Sequence, residues 1–283
     1  MSDSRGFMTV AAGERRYLEM AVDLALSLRE FNAEPVALAL GDELRRVASA
    51  SDLAVFDHVV ALPPGYPKFL SKLAAPYVTP FDRTFFIDAD SLAIGPLDSI
   101  WEPLAPTEFA VQGRYRRPDE DHDHHMLSTA ALAKSFGLDR YLQHNSGVLY
   151  FRKAKAIAVA EACMDLWEKG FGRQLPFDEP LRAIVGGALG LTTIPKPLPM
   201  AWWPALVAPH ETSFRLVHFM GIVRADTFTW LLRDVRRRRE AAGLAWRNAI
   251  VTWLGKATRG RHVWTPDKFP HLAYRGDAVA AVA

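Results

Sequence analysis

Arg83 to Gly95 reads RTFFIDADSLAIG. Thr84 to Ile87 is a run of strand formers with no polar alternation, which predicts a strand buried on both faces. Asp88 and Asp90 follow it, with only Ala89 between them. Burying an unpaired carboxylate is costly, and two neighbouring carboxylates repel each other. Where the chain turns at the strand's end, the two side chains can converge on one point. A divalent cation is the simplest group that keeps both ionised, and hard oxygen ligands suit Mn²⁺ or Mg²⁺.

The segments before this stretch predict its setting. GFMTVAAG is a short apolar strand closed by Gly13, and Leu18, Ala21, Val22, Ala25 and Leu28 then recur at helical spacing. PVALAL is a second strand. DELRRVASAS is a short helix with Asp42 as its expected N-cap. HVVALP is a third strand, and PKFLSKLAAPYV a helix leading into the acidic strand. Strands alternating with helices predict an α/β fold with a mostly parallel central sheet flanked by helices. Such sheets bind ligands beyond the carboxyl ends of their strands. Asp88 and Asp90 stand at one such end, and Gly13 and Glu14, followed by Tyr17, at another.

The second half is less regular. EFAVQGRY predicts a strand, EDHDHHMLSTAALAKSFG a polar loop becoming a helix, and HNSGVLYFRK a strand entered through a turn at Asn145 to Gly147. AKAIAVAEACMDLWEKG and FDEPLRAIVGGALG predict helices, with Gly170 stopping the first and Asp178 able to cap the second. PKPLPMAWWP reads as a loop and TSFRLVHFMG as a last strand. The expected organisation is one catalytic domain over 1–227, its halves meeting near residue 92, and a helical basic tail over 228–283.

Composition narrows the function. The chain has 283 residues, and 34 basic against 32 acidic side chains give a net charge of +2, so no global field points to nucleic acid. The one cysteine, Cys163, lies in an apolar helical pattern and reads as a small buried hydrophobe. No apolar run approaches membrane length and the N-terminus lacks a signal peptide's apolar core, which predicts a cytoplasmic protein.

Four separated pieces carry a resemblance to one family. FFIDADSLAIGPLDSIWE looks like the DxD block of metal-dependent GT-A-fold glycosyltransferases, most closely the retaining, glycogenin-like family 8 group. HNSGVLYFRK is similar to that group's NSG strand, FDEP to its Asp-Gln segment, and HFMGIVR to its HxxGxxK block, with His218, Gly221 and Arg224 in register. The resemblance implies a GT-A (Rossmann-like) fold and transfer of a sugar from a nucleotide-sugar, with UDP the implied carrier, to an acceptor hydroxyl. The acceptor is a glycan, a lipid-linked sugar or a small molecule. Asp88, Asp90 and His218 would bind Mn²⁺ or Mg²⁺. Val10, Ala11, Ala12, Tyr17, Lys72 and Ala89 would hold the donor, together with Asn145, Ser146, Gly147, Gly221 and Arg224. Asp178 would stand near the anomeric carbon, and Arg224 would stabilise the departing diphosphate. Arg224 replaces the family's lysine, and the Pro-Trp that usually follows is absent. Glu179 replaces the family's glutamine.

Several residues carry plainer alternatives. Tyr17 reads equally as a helix-face aromatic packed against the sheet, and Asn145 to Gly147 as ordinary turn chemistry. The Asp119 to His125 run reads as a polar loop, since its spacing matches no common zinc pattern. The tail sets Arg233 and Arg236 to Arg239 among tryptophans, as a solvated helix face packed on the domain or as a peripheral contact with the inner face of a membrane. Self-association is left open. Two rival functions remain: a haloacid-dehalogenase-type phosphatase using the DxD, and a non-catalytic nucleotide-sugar-binding protein.

Overall fold

The computed structural model describes residues 4–66, 68–93, 95–120, 127–169, 177–194, 200–202 and 215–218. Gly221, Arg224, residues 121–125 of the acidic loop and the whole of 228–283 lie outside them. In chain order the elements are β1 (Arg5–Ala11), α1 (Arg15–Phe31), β2 (Val36–Leu40), α2 (Asp42–Arg45), α3 (Ala50–Leu53), β3 (His58–Ala61), α4 (Ala75–Val78), β4 (Arg83–Ile87) and β5 (Ser91–Ala93). Then come α5 (Trp101–Leu104), β6 (Phe109–Arg116), α6 (Leu127–Ser135), β7 (Tyr141–Arg152), α7 (Lys153–Glu168), α8 (Asp178–Leu189), β8 (Thr192–Thr193), β9 (Met200–Trp202) and β10 (Leu216–His218). The chain clusters into two compact units, Met1–Glu14 with Glu34–Asp88 and Ile100–Pro195, and Arg15–Ala33 with Ala89–Ser99 and Lys196–Ala283.

The first unit is built on a seven-stranded sheet in the order β3-β2-β1-β4-β7-β6-β8. Neighbours from β3 to β4 run parallel, as do β6 and β8, while β7 runs antiparallel to both β4 and β6. The sheet is therefore mixed but mostly parallel. Every residue of β2 and β4 is buried, as their unbroken apolar runs require.

Alternation sends two sets of side chains to opposite faces. Phe7, Phe85 and Tyr150 are partners across three strands, and Trp101 makes tilted and edge contacts with all three. All four are fully buried, and each such aromatic pair adds about 0.5–1.5 kcal/mol beyond area burial. Met8, Phe86 and Leu149 line up one residue along and belong to the larger apolar core, with Val159, Cys163 and Leu181 from α7 and α8. Cys163 is buried there, as its apolar context predicted, and burial pushes its thiol up to about 12.

In the second unit β5, β10 and β9 form a three-stranded sheet against which α1 packs. Ala93 donates its backbone N–H to Ser27 Oγ at 3.0 Å, and Leu97 to Asn32 Oδ1 at 2.7 Å. Leu18, Ala21, Val22, Leu24, Ala25 and Leu28 make the buried stripe of α1, the face its periodicity predicted.

Several local expectations need correction. Asp42 is the first residue of α2, and Gly41 is the N-cap, in an extended conformation with no side-chain cap. The segment before the acidic strand opens as a 3-10 helix, Lys68–Ala74, and becomes α-helical only over α4. Met200–Trp202, read as loop, pairs in parallel with β10. Asn145 to Gly147, read as a turn, lies inside the twelve-residue strand β7. Asp178 does not cap α8 but begins it, with Phe177 as N-cap.

Candidate active site

Strand β7 brings the NSG segment beside the acidic end of β4. Its pairing runs from Arg83↔Arg152 to Ile87↔Val148, and Asp88 N–H continues it by donating to Gly147 O at 2.8 Å. On the other side of β7 the register steps from Val111↔Leu149 to Gln112↔Asn145, so Ser146 to Val148 bulge out of the β6 ladder. Asn145 Oδ1 accepts the Gly147 N–H at 2.9 Å, which satisfies the donor the bulge exposes. The turn-forming chemistry of Asn, Ser and Gly is thus spent on a bulge within a strand.

A cluster of charged side chains surrounds this bulge. Lys72 Nζ, from the 3-10 helix, donates to Asp88 Oδ2 at 2.8 Å and to Ser146 Oγ at 2.9 Å, and lies 3.6 Å from Asp178 Oδ1. One turn along α8, Arg182 Nη1 donates to Asp178 Oδ2, with both side chains buried. Burial opposes ionisation of Asp178, but the charges of Lys72 and Arg182 prevail and hold its carboxyl below the usual range. Burial likewise opposes the Lys72 ammonium, and the carboxylates of Asp178 and Asp88 hold its pKa above the usual lysine value. Asp178 is therefore a buried carboxylate held in its ionised form by two neighbouring cations.

Glu179 and His144 complete the cluster. Burial, then the neighbouring Asp178 charge, pushes the Glu179 carboxyl up to about 7, although the Ser146 backbone N–H donates to it. His144 Nδ1 donates to Leu142 O at 2.9 Å, and burial pushes the imidazole down to about 4, so the ring is neutral. Gly113 pairs with His144, at a position where a Cβ would come within 2.4 Å of Gln143 O and 2.6 Å of His144 Cβ.

Beyond Ala89, Asp90 and His218 meet through the β5–β10 ladder, whose register pairs Ser91 with His218. His218 Nε2 lies 3.0 Å from Asp90 Oδ1, with the imidazole buried and Asp90 about a third exposed. One ligand atom from each of Asp88, Asp90 and His218 lies within 4.8 Å of the others. Two carboxylate oxygens and an imidazole nitrogen at that spacing are a donor set able to hold a divalent metal ion.

The other residues singled out from the sequence are placed as follows. Val10 and Ala11 end β1, and Ala12 follows. Val10 and Ala12 are half-buried. Tyr17 is half-buried on α1 with the Arg16 guanidinium over its ring at 5.4 Å. Ala89 is buried between the two aspartates. Gly221 and Arg224 are outside the described residues. Sequence reasoning passed over Arg182 and His144. Arg182 carried a signal, an arginine four residues after Asp178 on an otherwise apolar helix face. His144 carried none, since a lone histidine before NSG reads as part of the turn.

No family model matches the chain, and no curated protein matches it in sequence. Solved structures do. The bifunctional glycosyltransferase WbbM in its apo form is 12% identical with a TM-score of 0.53, over 81% of this chain and 49% of its own. The galactosyltransferase LgtC, solved in complex with donor and acceptor sugar analogs, is 14% identical with a TM-score of 0.53, over 86% of this chain and 99% of its own. The apo-form glycosyltransferase GlyE of Streptococcus pneumoniae TIGR4 is 14% identical with a TM-score of 0.52, over 90% of this chain and 64% of its own. The chain thus spans about half the length of WbbM and nearly all of LgtC. At such identity the likeness establishes architecture, and the architecture is the GT-A fold of these glycosyltransferases.

Proposed function

We propose that this protein is a divalent-metal-dependent glycosyltransferase that moves a sugar from a nucleotide-sugar, with UDP as carrier, to an acceptor hydroxyl with retention at the anomeric carbon. What carries the reading is the convergence of Asp88, Asp90 and His218 at the end of β4 in a chain of GT-A fold. The fold's likeness to LgtC, whose structure holds donor and acceptor analogs, supports a donor and an acceptor as substrates.

Asp88, Asp90 and His218 would hold Mn²⁺ or Mg²⁺, and the ion would supply Lewis-acid stabilisation of the charge that develops on the leaving diphosphate. The remaining work falls to the chain's own groups. Asn145, Ser146 and Gly147 line the bulge where sugar hydroxyls would be read. Asp178, kept ionised by Lys72 and Arg182, offers fixed negative charge to an anomeric centre that becomes oxocarbenium-like. Val10, Ala11, Ala12 and Tyr17 would hold the nucleoside, while Gly221 and Arg224 would face the diphosphate. Glu179, at the first turn of α8, would border the sugar or the acceptor.

The test is a panel of UDP-, GDP- and TDP-sugars incubated with and without Mn²⁺, read as release of the nucleoside diphosphate. Mn²⁺-dependent release from one or a few UDP-sugars, abolished in Asp88→Asn, is the expected result. Release of phosphate from p-nitrophenyl phosphate, with no sugar-nucleotide turned over, would instead assign the DxD to a phosphatase.

A further inference from the structure

Lys72 makes the acidic site a partly neutralised one. Its ammonium sits on Asp88 Oδ2 at 2.8 Å and 3.6 Å from Asp178 Oδ1, while Arg182 takes Asp178 Oδ2. One oxygen of the first candidate metal ligand is therefore already committed to a cation carried by the protein. The ammonium is also held to Ser146 Oγ at 2.9 Å, and its side chain is only about a fifth exposed, so it is built in and does not sweep solvent. A second cation arriving at Asp88 must share that carboxylate with a like charge a few ångströms away, and in a partly buried site that repulsion is screened much less than at the surface.

We propose that Lys72 is an internal counter-cation that keeps the affinity for a bare divalent ion low and makes metal uptake depend on the diphosphate of the nucleotide. This rests on the nucleotide-sugar reading above. The diphosphate brings the negative charge that Lys72 has offset, together with the hard oxygens that complete a metal's shell. The ammonium then has phosphate oxygens as an added partner, and metal and nucleotide bind with positive coupling that is reciprocal by linkage. Lys72 is a positioning residue in this role. It fixes Asp88 by holding Oδ2 at 2.8 Å.

The test is Mn²⁺ binding to the full chain, followed by electron paramagnetic resonance with and without UDP, so that no turnover is read. The parent should bind bare Mn²⁺ weakly and gain about tenfold or more when UDP is present. Lys72→Met should bind bare Mn²⁺ about fivefold or more tightly than the parent, with the UDP-dependent gain reduced by a similar factor. Lys72→Arg keeps the charge and should follow the parent. Lys72→Gln is the second neutral variant, measured in the same way should Lys72→Met fail to give a cooperative melt. Bare-Mn²⁺ affinity unchanged or weakened in the folded neutral variant overturns the proposal. So does a parent that takes up Mn²⁺ equally well without UDP. No Mn²⁺ uptake by the parent even with UDP would remove the nucleotide-sugar reading itself.

Discussion

Asp178 and Arg182 are bound to each other across one turn of α8, with both side chains buried to within a few per cent of complete. An ion pair this far from water stabilises only while both members are present, because either one alone is an uncompensated buried charge. Arg182→Met should therefore cost about 3–5 kcal/mol in urea denaturation. Arg182→Lys, which keeps charge but loses the planar fork, should cost less. A loss below about 1 kcal/mol for Arg182→Met would mean that Lys72 and Ser146 suffice for Asp178.

The same pair sets an acid limit. The folded Asp178 carboxyl is held below its ordinary value by Lys72 and Arg182. The stability it contributes is thus fully present above the unfolded pKa and lost as pH falls through the folded one. Asp178→Asn should flatten the acid limb of the stability curve as pH falls below the ordinary aspartate range, read by chemical denaturation at several pH values.

Glu179 has the opposite sign. Its carboxyl is raised to about 7 in the fold, so the folded state holds a proton that the unfolded chain gives up near its ordinary value. Stability contributed by the neutral form is present at low pH and falls as pH rises towards 7. Glu179→Gln removes that penalty. The variant should be about 2–3 kcal/mol more stable than the parent at pH 8, a gain that shrinks towards zero by about pH 4. Equal stability of the two proteins at pH 8 would show that Glu179 ionises in the fold without cost.

Asp90→Ala tests the metal group with little structural confusion, since Asp90 is about a third exposed. It removes one candidate ligand and the partner of His218 Nε2 together. Mn²⁺-dependent release of UDP should fall by about a hundredfold or more, while the melting temperature moves little. Parent-like turnover with Mn²⁺ still required would exclude Asp90 as a ligand.

Gly113→Ala addresses the frame. The added Cβ would meet Gln143 O and His144 Cα within 2.8 Å, and backbone atoms cannot swing aside. The variant should lose about 1–3 kcal/mol of stability as the β6–β7 ladder deforms next to the NSG bulge. Alanine accepted with no change in the denaturation midpoint would place the two strands further apart than described.

Elements whose signals are local were legible in the sequence, and those that depend on a distant partner were not. The apolar runs of β1, β2 and β4 are buried whatever their neighbours, and they read correctly as strands. The bulge at Ser146 to Val148 exists only because β4 and β6 grip β7 in two registers, so the same residues read locally as a turn. β9 is three residues long beside prolines, and its strand character comes from β10 alone. Asp88 and Asp90 announced themselves through a charge that needed a partner. His218 was reached through its likeness to a family block, because a buried histidine on a short strand carries no such tension by itself. Arg182 was missed because an arginine on a helix is ordinarily a solvated one.

The rung from Asp88 N–H to Gly147 O joins the two site segments through main-chain atoms alone. Their separation is thus set by peptide geometry. Side chains that border the bulge without holding it together can change while the distance between the two segments keeps its value.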